Sequence, residues 1–254
     1  MYVACSTLCF ARFPLDQALR KIAELEFSKV DVAIHEQGPH LRPSEVLEDV
    51  GLAAQRIRIG PSLSPAAFSV EIDAPDPLRY HQQLQALCRL ARLSMVPVIT
   101  VPAATSGSGV DAEAKRLSAL VHLANLEGIV LTVETRIGTL TENPDCAVEL
   151  CKRAPGLGLT LDPSHYIAGP NQGKGFDQVF PYVRHVHLRD TGRSPEQFQV
   201  RVGQGEVEYG RIISHLTRYS YDRLLTVEIC DIPDAPFAMD AEVRKLKYLL
   251  DSLV

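Results

Sequence analysis

Eight times along this chain a short run of β-branched and apolar residues gives way to a longer segment with helical periodicity. The strand-like runs lie at residues 3–10, 29–34, 56–62, 96–102, 129–135, 157–162, 183–188 and 224–229. Between them apolar residues recur at i, i+3, i+4 and i+7, as in Leu15, Ala18, Leu19, Ile22 and Leu25 or in Leu117, Leu120, Val121 and Ala124. Several of these segments carry helix-start signals: Pro43-Ser44, Asp111 and Asn143-Pro144-Asp145. The run 129–133 is wholly apolar but for Thr132, as befits a parallel strand covered on both faces. Strict β–α alternation builds a parallel sheet, and eight repeats close into a barrel. The predicted fold is therefore α/β: one eight-stranded parallel (β/α)8 TIM barrel over residues 1–254. An open doubly wound sheet is the competitor, but no GxGxxG opens a helix after the first strand.

The composition narrows the class of partner. The net charge is -5 and the pI about 5.9, a balance that does not favour nucleic acid, whose phosphates reward clustered Lys and Arg. No apolar run approaches the roughly 20 residues of a membrane-spanning helix. The N-terminus lacks the basic start and long apolar stretch of a signal peptide. Six scattered cysteines without CxxC spacing read as free thiols in a reducing compartment. A cytoplasmic protein is expected, with no membrane and no nucleic acid as partner, and homo-oligomers remain open.

The chemistry is concentrated at strand ends. Glu134 ends IVLTVE, Asp162 ends LGLTLD, His187 lies near the end of VRHVHL and Glu228 near the end of LLTVE. Four consecutive strands thus each carry one metal-competent side chain to the end where barrels place their active sites. Three carboxylates converging on one small volume repel each other unless a cation joins them. With an imidazole, they suit one divalent ion: Mn2+, Mg2+, Co2+ or Zn2+. His185 and His187 share a face; His187 is taken as the ligand because it is nearer the strand end, with His185 buried beneath it.

The segments VETRIGTLTENP, LTLDPSHY, RHVHLRD, VGQGEVEYG and LLTVEI resemble the xylose-isomerase-like barrel superfamily, the sugar phosphate isomerase/epimerase group. The likeness extends through PLDQALRKIAELEFSKVDV and so covers nearly the whole chain. It implies that Glu134 and Glu228 both bind metal and act as acid and base, with Asp162 and His187 completing the ligand set. It also implies that His165, the histidine of DxxH, faces the substrate. An arginine after the seventh strand contacts substrate in such proteins; Arg193 is preferred here by its distance from His187, and Arg201 competes. Arg189 and Asp190 are expected to form pairs behind the site or on the surface. Gly203 and Gly205 are left as a possible anion site.

The expected function is a metal-dependent isomerase or epimerase of a small, sugar-like hydroxy-carbonyl substrate, acting through a metal-stabilised enediolate. A dehydratase of the inosose or dehydroshikimate type is the alternative, since the same intermediate can expel a β-hydroxyl. A multi-zinc apurinic endonuclease is disfavoured because residues 57–61, 98–103 and 191–206 lack the extra histidines. A barrel that only binds ligand is disfavoured by the complete set of four ligands.

Overall fold

The computed structural model describes residues 1–58, 62–233, 235 and 237–254. Its eight strands are β1 (Tyr2–Ser6), β2 (Lys29–His35), β3 (Ser64–Glu71), β4 (Val98–Val101), β5 (Val130–Glu134), β6 (Gly158–Leu161), β7 (Val183–Leu188) and β8 (Leu224–Val227). They pair in chain order, all parallel, and β8 closes on β1. The expected barrel is the observed one. The helices are α1 (Leu15–Glu24), α2 (Pro43–Glu48), α3 (Val50–Arg56), α4 (Pro77–Leu93), α5 (Val110–Leu126), α6 (Pro144–Arg153), α7 (Pro163–Ile167), α8 (Tyr209–Arg218) and α9 (Met239–Asp251).

The third strand differs from the expectation. Arg56 ends α3, residues 59–61 lie outside the described residues, and the strand is Ser64–Glu71. The alternating RIRIG pattern imitates a strand, whereas the true strand begins SPAA, with poor intrinsic β propensity. Tertiary pairing overrides that propensity. Ser64 aligns with Lys29 of β2, and a register shift past Val30 accommodates Pro65 and Ala66 before regular pairing runs to Glu71.

Outward-facing strand residues and the inner faces of the helices form the main core. Leu19 and Ile22 of α1, Leu87 and Leu90 of α4, Leu117 and Leu120 of α5, and Leu246 of α9 are all fully buried. Inside the cylinder the layers change character from bottom to top. Ala4, Ala67, Val98 and Leu224 pack together near the strand N-termini. Above them the hydroxyls of Thr100, Thr132 and Thr160 hydrogen-bond to one another at 2.8–3.0 Å. Because side chains alternate along a strand, Thr132 and Glu134 share the inner face, as do Thr160 and Asp162, His185 and His187, and Thr226 and Glu228. The polar layer thus leads upward into the cluster at the C-terminal mouth.

Ile22→Ala removes a fully buried side chain between α1 and the sheet and is expected to destabilise the fold by about 2–5 kcal/mol in urea denaturation. Glu24→Ala, on the exposed face of the same helix, should stay within about 0.5 kcal/mol of the parent.

Candidate active site

Glu134, Asp162, His187 and Glu228 converge at the mouth. The Nδ1 atom of His187 lies 2.9 Å from Glu134 Oε1 and 3.4 Å from Glu228 Oε1. Asp162 closes the ring through Arg189, whose Nη2 is 2.6 Å from Asp162 Oδ2 and 3.3 Å from Glu228 Oε1. The other oxygen of Asp162 accepts from the N–H and hydroxyl of Ser164, so the same carboxylate also caps α7.

Beneath the ring lies Asp31, a residue that strand-end reasoning passes over. Its Oδ2 accepts from Nε2 of both His185 (2.7 Å) and His187 (3.0 Å), and all three side chains are buried. A buried aspartate inside the apolar stretch KVDVAIH needs partners, and that is the signal by which the sequence announces it. Its consequence is tautomeric. With the Nε2 proton committed to Asp31, His187 turns Nδ1 toward Glu134 and Glu228. His35 and Glu36 lie farther out: His35 Nδ1 stands 3.9 Å from Glu71, and Glu36 accepts from Ser44.

The electrostatics reflect this crowding. Burial alone would depress the pKa of His187, but Glu228, Asp31 and Glu134 outweigh it and hold the imidazole well above its ordinary value. Burial pushes Glu134 upward, yet its hydrogen bond to His187 and the charges of His187, His165 and Arg136 together outweigh it and keep it well below the usual carboxylate range. Burial, reinforced by Glu134, raises Glu228 to about 6 despite His187 and Arg189. Burial also lowers His165, which is thus a neutral imidazole. Its Nδ1 accepts the Ile137 N–H at 3.1 Å, so the proton sits on Nε2, 3.6 Å from Asp162 Oδ2.

Three arginines after β7 stand differently from the sequence reading. Arg193 is turned to solvent, its side chain 76% exposed and paired with Glu206 at 2.8 Å, away from the ring. The turn from Gly192 N–H to the Gln197 carbonyl carries it outward. Arg201 is also exposed on this loop. Arg189, expected behind the site or on the surface, is instead buried within it. The N–H groups of Gly203 (2.6 Å) and Gly205 (3.1 Å) are taken by the chain's own anion, Asp190 Oδ2, which accepts from both. A Cβ on Gly205 would fall 2.2 Å from Asp190 Oδ1, which explains the glycine. With the loop so anchored, Phe198 reaches over the site. Its ring lies 4.7 Å from His165 and 5.1 Å from the guanidinium of Arg189.

The residues present fit a divalent cation. Glu134, His187 and Glu228 each offer a ligand atom within 4.8 Å of the others, as do Glu134, Asp162 and His165. Glu228 Oε2 is buried with no hydrogen-bond partner among the described residues, an anionic donor still unmatched. The Asp31, His185 and His187 atoms form a third such group. There the imidazole N–H groups already satisfy the carboxylate oxygen they share.

Residues 19–249 match the family described as xylose isomerase-like TIM barrel. The chain belongs to that family. A 127-residue stretch of this xylose isomerase-like barrel is 24% identical to an uncharacterized protein of Methanocaldococcus jannaschii, covering 47% of this chain and 43% of the relative. The chain thus matches less than half the length of that curated relative. Among solved structures it is similar to an L-ribulose 3-epimerase (TM-score 0.75, 15% identity, 99% of this chain and 93% of the other). It is also similar to a probable 3-DHS dehydratase from Bacillus anthracis (0.72, 15%, 99% of each chain). A third is a xylose isomerase-like TIM barrel protein from Mycobacterium smegmatis in complex with magnesium (0.71, 18%, 100% and 98%). At such identities the likeness is one of fold.

Two expectations follow. Asp31→Asn should weaken Mn2+ binding about 10–100-fold in calorimetric titration while the barrel stays folded; unchanged affinity would remove Asp31 from the support of His187. Because the raised pKa of His187 keeps its second proton on at neutral pH, cation binding must expel that proton. Mn2+ affinity should therefore rise with pH, by up to about tenfold per unit, from pH 6 to 8. A flat profile would contradict this.

Proposed function

We propose that this barrel is a divalent-metal-dependent isomerase or epimerase of a small hydroxy-carbonyl substrate of the sugar type. The observation that carries the reading is the convergence of two carboxylates, from strands three steps apart, on one imidazole nitrogen at the barrel mouth. Glu134, Asp162, His187 and Glu228 would hold the ion. A bound divalent ion supplies Lewis-acid polarisation of neighbouring substrate oxygens, which acidifies the adjacent C–H.

The chain's own groups do the rest. Glu228, with Oε2 free of protein partners, takes the proton from the carbon beside the carbonyl. The C–H electron pair becomes the carbon–carbon double bond of an enediolate, and the carbonyl oxygen gains the charge. Return of a proton to the neighbouring carbon, with the hydroxyl proton passing from one enediolate oxygen to the other, gives isomerisation. Delivery to the original carbon from the opposite face gives epimerisation; Glu134, ionised in the resting site, would relay a substrate hydroxyl proton to that carbon, and the proton held by Glu228 would replace it. The neutral His165, with its proton on Nε2, would donate to a substrate oxygen, a role supported by the Ile137 N–H that occupies its Nδ1. Phe198 limits water above the ring.

A dehydratase is the second reading, supported by the similarity in fold to a probable 3-DHS dehydratase. It differs only in the fate of the enediolate-like anion, which expels a β-hydroxyl instead of taking a proton. Incubation of the Mn2+-loaded protein with ketoses, hydroxypyruvate and inososes separates the two, because only the dehydratase forms a new, ultraviolet-absorbing C=C. In the same assay Glu228→Gln should lower turnover at least about a hundredfold while the melting curve stays cooperative. Turnover at the parent rate would remove Glu228 from the chemistry.

A further inference from the structure

Two polar atoms at the ring have no hydrogen-bond partner among the described residues: the Nε–H donor of Arg189 and the Oε2 acceptor of Glu228. Arg189 has both of its terminal nitrogens engaged. Its Nη1 donates to Cys230 Sγ at 3.2 Å, and its Nη2 donates to Asp162 Oδ2 and Glu228 Oε1. In a guanidinium, the Nε–H and one Nη2 hydrogen lie along a single edge that binds oxygens in pairs. Nη2 is already on the ring, so the unused Nε–H belongs to the edge turned toward the ligands. The side chain is only 5% exposed and lies under Phe198, which denies this donor bulk water.

The surroundings make this edge rigid. Gln199, next to Phe198, donates from Nε2 to the Cys230 carbonyl at 2.9 Å, and its Oε1 accepts the Cys230 N–H at 2.7 Å. The loop above Arg189 is thereby tied to Cys230, three residues past the end of β8. A buried donor and a buried acceptor left open on two side chains that already touch through Arg189 Nη2 and Glu228 Oε1 are costly unless something satisfies them. A substrate oxygen satisfies the donor, and a substrate C–H or O–H proton moving toward Glu228 satisfies the acceptor.

We propose that Arg189 is a catalytic residue, its Nε–H donating to the substrate oxygen that becomes negative as the proton leaves for Glu228. The assignment rests on the isomerase or epimerase reading given above. A donor aimed at developing charge is worth more in the transition state than in the ground state, so its loss falls on kcat more than on KM. Lysine keeps the charge but lacks the paired edge.

The test uses the Mn2+-loaded protein and glycolohydroxamate, a small compound whose adjacent oxygens imitate a cis-enediolate. Arg189→Met should bind Mn2+ no more weakly than the parent, yet bind the hydroxamate and turn over a ketose at least about a hundredfold less well, with KM little changed. Arg189→Lys should show a smaller loss of the same kind, and it carries the test if the Met variant does not fold. Hydroxamate affinity equal to the parent's in the folded variant would overturn the role of Arg189 and leave the isomerase reading standing. Loss of Mn2+ binding in that variant would also overturn it, because Arg189 would then only position ligands. Failure of the parent itself to bind the hydroxamate would overturn the enediolate reading, and this assignment with it.

Discussion

Everything at the mouth of this barrel depends on matching buried negative charge. Asp31, Glu134, Asp162 and Glu228 all lie within a few ångströms of His187 or Arg189, and Asp31 and Asp162 are wholly inaccessible. At an effective dielectric near 20, two like charges about 4 Å apart repel by roughly 4 kcal/mol, so the carboxylates must be shared among cations. Arg189 supplies one fixed charge. His187 supplies a second by keeping its extra proton, which faces Glu134 and Glu228, two of the residues that would hold a divalent ion.

The barrel delivers this arrangement because parallel strands all end at the same face. Each inward position two residues below a ring member is also polar: Thr132 below Glu134, Thr160 below Asp162, His185 below His187, Thr226 below Glu228. The hydroxyls of Thr100, Thr132 and Thr160 satisfy one another, that of Thr226 lies 3.4 Å from His185 Nε2, and Asp31 satisfies both histidines. The ring thus rests on a hydrogen-bonded layer with directional constraints, which a purely aliphatic interior would lack. Hydrophobic packing is kept to the bottom of the cylinder and to the shell between strands and helices.

Much of this was legible in residue order. Strand ends can be read where an apolar run meets a polar residue, and that alone lines up Glu134, Asp162, His187 and Glu228. The period of two that puts His185 and His187 on one face extends to Arg189. The same count therefore indicates that arginine, although a charged residue just past a strand usually faces solvent. Asp31 was visible as a charge in an apolar run, but its partners lie more than 150 positions away. The third strand was obscured because Pro65, Ala66 and Ala67 have little strand character of their own. Arg193 was misplaced for another reason: the path of residues 191–208 is set by Asp190 gathering the N–H groups of Gly203 and Gly205, a closure that residue spacing does not reveal.

The central claim is that these groups enclose one divalent cation. The direct measurement is a crystal grown with Mn2+ or Zn2+, with anomalous diffraction recorded at the metal's absorption edge. The account predicts a single strong peak at the C-terminal mouth, about 2.0–2.2 Å from oxygens of Glu134 and Glu228 and from Nδ1 of His187. A map with no peak there, and with Arg189 and a doubly protonated His187 still holding the carboxylates, would contradict it.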